Sequence, residues 1–209
     1  MSAHGQTSEL DGVLDWDASN GDASIRLLMV GNLNPTKGLD ILLKALSRCL
    51  RPVTLKIVGA ELSTHQNFAK SMYEYAKRLS SNRLNLKFEF LHWQDKEAVR
   101  SLMSSCHAFV LPSRSEACPL VLLEALAMDC LCVAADVGDV RLMLRGDVRH
   151  RIFQPCAVEE LGEIIQNLEI PNGLPRLNSF SADEWNLERV AAKISAIYDE
   201  LRKPPAKSM

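Results

Sequence analysis

The sequence alternates short apolar runs with segments whose apolar residues recur at helical spacing. Six runs have the length and composition of buried strands: IRLLMVG, VTLKIVG, LKFEFLH, AFVLPS, CLCVAAD and HRIFQ. The segments between them, such as LDILLKALSRCL and FAKSMYEYAKRLS, predict helices. Strands that alternate with helices are joined by crossovers, which makes the sheet parallel and covers both of its faces. The pattern therefore predicts an α/β fold with a doubly wound, Rossmann-like parallel sheet.

Composition changes at both ends of this pattern. The first 24 residues are polar and acidic, with no Lys or Arg before Arg26, and predict a mobile lead over residues 1–24. Residues 171–178 are rich in Pro, Gly and Asn and predict a loop, and a capping box at Ser181 predicts the start of a terminal helix. We therefore expect one domain over residues 25–201 and a tail over 202–209.

The charge balance argues against several classes of partner. The formal net charge is -2 over 209 residues, which gives no electrostatic case for binding nucleic acid. No apolar run reaches the roughly 18 residues of a transmembrane segment, and the N-terminus does not have the pattern of a signal peptide. The six cysteines lack paired zinc-type spacing, so we expect reduced thiols in a cytoplasmic protein.

Two acids bracket an apolar segment in SRSEACPLVLLEALAMD. Pro119 suits the first position of a helix, and within residues 119–128 only Glu124 is charged. A helix that is apolar all round is buried, so Glu124 is expected to be a buried carboxylate that needs a partner. Glu116 lies in the preceding loop. Because ligands bind at the carboxyl ends of the strands in such sheets, both acids are expected to face one crevice.

A carboxylate accepts hydrogen bonds through both oxygens, and a vicinal diol offers two donors. A ribose diol would satisfy Glu124, hydroxyls of a second sugar would satisfy Glu116, and a diphosphate between them would lie over the helix start. This arrangement outlines a nucleotide-sugar. Two alternatives stay open: a solvated loop acid with a core acid paired to an arginine, and a glycoside-hydrolase acid pair.

The loop after the first predicted strand, VGNLNPTKGLD, adds a cation. Gly31 ends the strand and permits close approach of a ligand, while Lys37 and Gly38 are expected to open the next helix. Lys37 could therefore neutralise a phosphate. The loop matches neither the dinucleotide-binding fingerprint nor the P-loop of nucleotide triphosphatases.

Together, MVGNLNPTKGLDILLKAL, LKIVGAE and FEFLHWQDKEAVRSLMSSCHAFVLPSRSEACPLVLLEALAMDCLCVAADVGD resemble the C-terminal, donor-binding domain of family 4 retaining glycosyltransferases, which is one half of a GT-B fold. The resemblance runs from about residue 25 to residue 168. It implies transfer of a sugar from a nucleoside diphosphate sugar to an unknown acceptor, with retention. It also implies that Glu116 contacts the donor sugar, that Glu124 holds the ribose and that Lys37 contacts the diphosphate, with Glu116 and Lys37 as the catalytic pair.

The resemblance implies further donor contacts around this set. They are Gly31, Asn32, His92, Trp93, Ala117, Cys118, Leu120 and Val121. Among them, the residues at 92 and 93 would border the base, and the backbone amides at 120 and 121 would hold phosphate. No cofactor and no metal are expected, because a lysine and helix N-termini replace the metal.

Several features depart from the family pattern. Asn32 stands where an arginine is usual, Ala117 where a glycine is common, and Asp129 and Asp139 where glycine is frequent. The family enzyme also needs an acceptor-binding N-terminal domain, which we expect in a longer gene product or a separate chain. That domain would cover the crevice, so Trp93 and Leu120 are expected to be exposed here. Through that domain, the protein could also lie peripherally at the inner face of a membrane.

Two rival interpretations remain. The Asn32 departure and the need for an acceptor domain favour a non-catalytic nucleotide-sugar-binding or scaffold subunit. An unrelated doubly wound domain of the response or flavin type is the other.

Overall fold

The computed structural model describes Trp16, residues 24–170 and four later positions, Ala191, Ala192, Ser195 and Ala196. The chain divides into two compact units, Met1–Asn178 and Ser179–Met209, and the four later positions, all helical, belong to the second. Most of the predicted lead, the loop at 171–178, the start of the terminal helix and the tail at 202–209 lie outside the described residues.

The described part of the first unit is built on a six-stranded sheet. Its strands are β1 (Ile25–Val30), β2 (Val53–Val58), β3 (Leu86–Leu91), β4 (Ala108–Leu111), β5 (Cys132–Ala135) and β6 (Arg151–Phe153). They are all parallel, in the order β3-β2-β1-β4-β5-β6. This is the order of a doubly wound nucleotide-binding sheet, and it confirms the predicted fold class and all six predicted strands.

Helices connect the strands. They are α1 (Leu39–Leu46), α2 (Gln66–Asn82), α3 (Lys96–Ser105), α4 (Leu120–Ala127), α5 (Val140–Met143) and α6 (Val158–Gln166), with short 3-10 turns at Pro35–Lys37 and Ser63–His65. The sequence pattern predicts all of these helices except α5. Four residues make about one turn, which is too short to show a helical period.

The core lies on both faces of the central strands. Every residue of β4 and β5 is buried, as expected for parallel strands covered on both sides. α1 buries seven of its eight residues and packs against α6. The loops at the carboxyl ends of the strands lie outside this core, and parts of them are exposed.

Two predicted helix starts are wrong by one or two residues. Lys37 ends a 3-10 turn instead of opening α1, because Gly38 follows it with φ 72°, a left-handed conformation that interrupts the helical pattern. Pro119 caps α4 instead of occupying its first position, and the helix begins at Leu120. Both differences leave the predicted residues at the sheet edge.

The two aspartates that replace frequent glycines differ in backbone conformation. Asp129 has φ 56°, the left-handed region that favours glycine. Asp139 has φ -85°, which any residue adopts without strain. Gly138 beside it has φ 52°, so the requirement for glycine in this loop is met one residue earlier.

Candidate functional site

Three loops meet at the carboxyl edge of the sheet, the edge at which the strands end. The loops follow β1, β4 and β5. A Cβ atom at Gly38 would lie 1.9 Å from the Pro112 carbonyl oxygen, and one at Gly138 would lie 2.1 Å from the Ala117 carbonyl oxygen. Side chains at these glycines would separate the loops, so the close contact between them depends on glycine.

Lys37 and Glu116 form an ion pair where these loops meet. Lys37 Nζ donates to Glu116 Oε1 at 2.7 Å, and Ser113 Oγ donates to the same oxygen at 2.7 Å. The side chains of Lys37 and Glu116 are 28% and 13% exposed. The structure therefore brings together the two residues predicted to be catalytic, 79 positions apart in the chain, in a partly desolvated setting.

The loop after β1 fixes Lys37 from two sides. Asn34 Oδ1 accepts a hydrogen bond from the Lys37 backbone N–H at 3.1 Å. Gly31 lies against the lysine stem, since a Cβ there would be 3.4 Å from Lys37 Cδ. Asn32, by contrast, is exposed. The Lys37 stem thus lies beside the space that a side chain at position 31 would enter.

Glu124 is exposed, and the prediction of a buried carboxylate is wrong. It makes no side-chain hydrogen bond or ion pair with another described residue. α4 buries only one side, through Leu122, Ala125 and Leu126, because its other side faces the open crevice. The apolar composition of the helix therefore predicted more burial than the structure has. Glu124 is not a core acid paired with an arginine, so that alternative is wrong.

The Glu124 side chain lines a cavity between α3 and α4. The cavity has a volume of about 170 Å³ and its lining comprises Lys96, Val99, Arg100, Met103, Glu124, Ala127 and Met128. Its walls combine apolar side chains with two cationic residues and one carboxylate. The predicted ribose anchor thus borders a concave space instead of a closed core.

The start of α4 is partly open to solvent, although its cap residue Pro119 is buried. Pro119 caps the helix without a side-chain hydrogen bond, Leu120 is 66% exposed, and Val121 is half-buried. Ala117 and Cys118 just before it are also exposed. Partial burial and the nearby Asp139 carboxylate raise the pKa of the Cys118 thiol, which favours its protonated form. The first amides of a helix lack helical partners, so this end attracts anions.

The loop after β3 presents the two residues predicted to border a base. Trp93 is 73% exposed, as predicted, and His92 is exposed as well. His92 Nδ1 lies 4.0 Å from Glu61 Oε1, which also accepts a hydrogen bond from the Tyr73 hydroxyl at 2.6 Å. Glu61 belongs to the loop after β2 and was not predicted as a site residue.

Sequence reasoning also missed the side chains that support the ion pair. Ser113 is fully buried and orients Glu116, while Arg114 joins the loop after β4 to α1 through Asp40. Both residues stand inside PSRSEACP, a segment the sequence marks as a ligand-edge loop. Their roles depend on side-chain direction, which spacing alone does not give.

Within residues 24–170 and the other described positions, no three His, Cys, Asp or Glu side chains are grouped so that they could hold a metal ion. No helix in the described part of the chain is both long and apolar enough to cross a membrane. All six cysteines are free thiols.

A family model described as "Glycosyl transferases group 1" matches residues 16–177. The chain belongs to this family. The matched range includes the whole sheet and every site residue described above. The six-stranded parallel sheet described above is therefore the Rossmann-like fold of a group 1 glycosyl transferase domain.

Individual relatives agree with this family. A D-inositol 3-phosphate glycosyltransferase of Rhodococcus erythropolis is 26% identical over 69% of this chain and 33% of its own length. An uncharacterized glycosyltransferase of Methanocaldococcus jannaschii is 25% identical over 83% of this chain and 48% of its own. The chain thus spans about half or less of these curated relatives.

A solved structure shows the same fold. Alr3699/HepE of Anabaena, crystallised in complex with UDP and glucose, has a TM-score of 0.69 and 23% identity, over 83% of this chain and 48% of its own. The matched part is again about half of the longer protein.

Proposed function

We propose that this chain is the donor-binding half of a glycosyltransferase that moves a sugar from a nucleoside diphosphate sugar to an acceptor, with retention. The observation that carries the proposal is the Lys37–Glu116 ion pair, with its 2.7 Å contact, at the carboxyl edge of a doubly wound sheet. The family to which the chain belongs supports the reaction class.

The ion pair supplies both groups that such a transfer needs. A bound diphosphate would take the Lys37 ammonium, which then neutralises the negative charge that develops on the leaving group. Glu116 would be released to accept hydrogen bonds from the donor sugar, while Ser113 Oγ keeps one of its oxygens oriented. The open amides at Leu120 and Val121 would hold phosphate oxygens.

The remaining predicted contacts fit the nucleoside. Glu124 is exposed at the rim of the cavity between α3 and α4, where a ribose diol would give its carboxylate two donors. His92 and Trp93 would border the base from the loop after β3. A relative of the same fold is crystallised with UDP and glucose, which supports a nucleotide-sugar as the donor.

We also propose that a second domain supplies the acceptor site. The chain covers 48% or less of the relatives described above, and Trp93 and Leu120 are exposed at the edge that such a domain would cover. The domain would belong to the same polypeptide or to a separate chain. A cytoplasmic location, with attachment to the inner face of a membrane through that domain, stays a prediction.

A non-catalytic nucleotide-sugar-binding subunit is the second candidate. It is favoured by Asn32, an exposed neutral amide where the family usually has an arginine. Without that cation, leaving-group stabilisation depends more heavily on Lys37. Both candidate functions include binding of the nucleotide-sugar, but only the first includes transfer of the sugar.

A ligand screen followed by an activity assay tests both. Melting curves with UDP, GDP and ADP should show stabilisation by at least one, about 2.7 kcal/mol at 100 times its dissociation constant. The chain alone should transfer almost no sugar, because a held acceptor supplies much of the rate. Transfer on addition of the acceptor half favours the enzyme, and its absence favours the binding subunit. Robust transfer by these 209 residues alone would contradict the half-enzyme proposal.

A further inference from the structure

Arg114 ties together the two loops that carry Lys37 and Glu116. Its backbone N–H donates to the Thr36 carbonyl at 2.8 Å. Its Nη1 donates to the Pro35 carbonyl at 2.5 Å. Arg114 therefore holds the turn that ends in Lys37, while it lies two residues before Glu116 in its own loop.

The same guanidinium binds α1 through two hydrogen bonds to the carboxylate of Asp40. Nη1 and Nη2 donate to Asp40 Oδ1 and Oδ2, each at 2.8 Å. Burial alone would raise the pKa of Asp40, but the hydrogen bonds and charge of Arg114 lower it, so the carboxylate stays ionised. A planar fork on a carboxylate fixes orientation as well as distance.

The Arg114 head group is occupied by these partners, so it acts through its neighbours and does not need to touch a donor. We infer that Arg114 and Asp40 form a positioning clamp that holds the two loops carrying Lys37 and Glu116 against each other before the donor binds. The inference rests on the proposed function, because it assigns the clamp to that same donor site.

The clamp is expected to affect donor affinity, because restricting mobile loops on binding costs free energy. Without it, the two loops would sample a range of separations, and donor binding would have to restrict that range. Lys37 and Glu116 would still be present, but their loops would less often hold both side chains beside the same donor. A clamp variant should therefore lose donor affinity although no donor-contacting side chain has changed.

The first experiment measures UDP binding by calorimetry in the wild type and in Arg114→Ala, Asp40→Asn and Arg114→Lys. We expect about tenfold weaker binding for the first two, the factor that corresponds to 1.4 kcal/mol. Arg114→Lys keeps the charge but loses the fork, so its loss should be intermediate. The matched control is Arg48→Ala, which removes an exposed arginine paired with Glu159 beyond the other end of α1 and should leave the affinity unchanged.

The second experiment needs no ligand. A double-mutant cycle of Lys37→Met and Glu116→Gln, read by chemical unfolding, gives the coupling between the two side chains. We expect a measurable coupling in the wild-type background that is largely lost in the Arg114→Ala background. The buried Ile165→Val variant, which lowers stability elsewhere, should leave this coupling intact.

The two experiments separate the clamp from the proposed function. If the wild type binds no UDP, GDP or ADP, the proposed function fails, and the ligand-free cycle alone decides on the clamp. If the wild type binds UDP and Arg114→Ala and Asp40→Asn bind it equally well, the clamp is overturned. An unchanged Lys37–Glu116 coupling in the Arg114→Ala background overturns it as well, whatever that variant does to the melting temperature.

Discussion

The two edges of the sheet use polar side chains in different ways. At the amino edge, where the strands begin, long polar side chains bind backbone carbonyls. Asn85 Nδ2 donates to the carbonyls of Cys49, Leu50 and Arg51 at 3.2, 3.3 and 2.9 Å. Arg83 donates to the carbonyls of Ser47 and Cys49 at 2.7 and 2.6 Å. At the amino edge, these side chains therefore donate their hydrogen bonds to backbone carbonyls of the same chain.

Two histidines at the amino edge also bind the backbone, but as acceptors from N–H groups. His107 Nδ1 accepts from the Arg26 backbone N–H at 3.0 Å, and His150 Nδ1 accepts from the Cys132 N–H at 3.1 Å. Burial lowers the pKa of both imidazoles, so both favour the neutral form that can accept. Both histidines therefore use Nδ1 to hold the backbone.

The carboxyl edge differs in the groups predicted to bind a ligand, although Arg114 there also donates to the Pro35 carbonyl. Its cation and carboxylate at positions 37 and 116 bind each other, Glu124 is exposed, and Trp93 and Leu120 leave large apolar surfaces in solvent. Side chains bonded to the backbone stabilise the fold, whereas exposed groups and a partly exposed ion pair remain able to exchange partners. Variants at the two edges should therefore separate stability from binding.

The largest expected effect is on binding, at Lys37. Lys37→Met should weaken nucleoside diphosphate binding by about 2–3 kcal/mol, because a charge-assisted contact to phosphate is lost. The free energy of unfolding should fall by less than about 1 kcal/mol, since the ion pair is partly solvated. Calorimetry and chemical unfolding measure the two, with the exposed Lys70→Met as control. An unchanged affinity would remove Lys37 from the site.

The next effect is on stability alone, at Asn85. Asn85→Ala should lower the free energy of unfolding by about 2 kcal/mol, because three backbone carbonyls lose a donor. Nucleotide affinity should not change, because Asn85 lies at the opposite edge. Urea unfolding checks the first point, and Asn82→Ala, an exposed residue at the end of α2, is the control. A loss of affinity without a loss of stability would reverse the assignment of the two edges.

A smaller effect depends on pH. The pKa of His107 is lowered from 6.5 to about 4 by burial and by the charges of Arg26 and Arg51. Between these values the unfolded chain binds a proton that the folded chain does not, so stability is full above pH 6.5 and falls as the pH drops towards 4. Because the imidazole is only half-buried, solvent screening reduces this loss to about 1–2 kcal/mol.

His107→Asn keeps an acceptor for the Arg26 N–H, with Oδ1 in the place of Nδ1, but does not titrate. Its unfolding free energy should therefore fall less steeply than that of the wild type over this pH range. Part of the slope should remain, because burial also lowers the pKa of His150. Equal slopes for variant and wild type would show that His107 is not held neutral in the fold.

The smallest expected effect is a gain. Asn32→Arg restores a cation at an exposed position of the carboxyl edge and should strengthen nucleoside diphosphate binding by about 0.5–1 kcal/mol, with a larger gain at low salt. Titrations at two ionic strengths measure it, and Asn82→Arg at the end of α2 is the matched control. An equal gain in both variants would indicate a general charge effect and not a local phosphate contact.

The sequence predicted the fold well because the fold depends on periodicity and glycine. Runs such as IRLLMVG and VTLKIVG have strand length and end at a glycine, and the intervening segments have helical spacing. The sequence did not predict the four-residue helix α5, because about one helical turn is too short to show a repeating apolar pattern. The helix starts at Leu39 and Leu120 were displaced by local geometry at Gly38 and Pro119.

The site was only partly predictable. The pairing of Lys37 with Glu116 follows from parallel strands that end at one edge, which spacing can indicate. The exposure of Glu124 could not be read from α4, because burial depends on what covers the crevice side of the helix. The roles of Ser113 and Arg114 depend on side-chain direction in an irregular loop, and composition carries no information on that.

Titration of UDP, GDP and ADP into the wild type and Glu124→Gln, with melting curves alongside, tests the central claim most directly. We expect at least one nucleotide to bind the wild type and Glu124→Gln to lose on the order of 1–3 kcal/mol of that affinity, because charge-assisted hydrogen bonds to a diol become neutral ones. Melting should be unchanged, since the carboxylate is exposed. Glu163→Gln on α6 is the control. No binding by the wild type, or equal affinity in Glu124→Gln, would contradict a nucleotide-sugar site at the carboxyl edge.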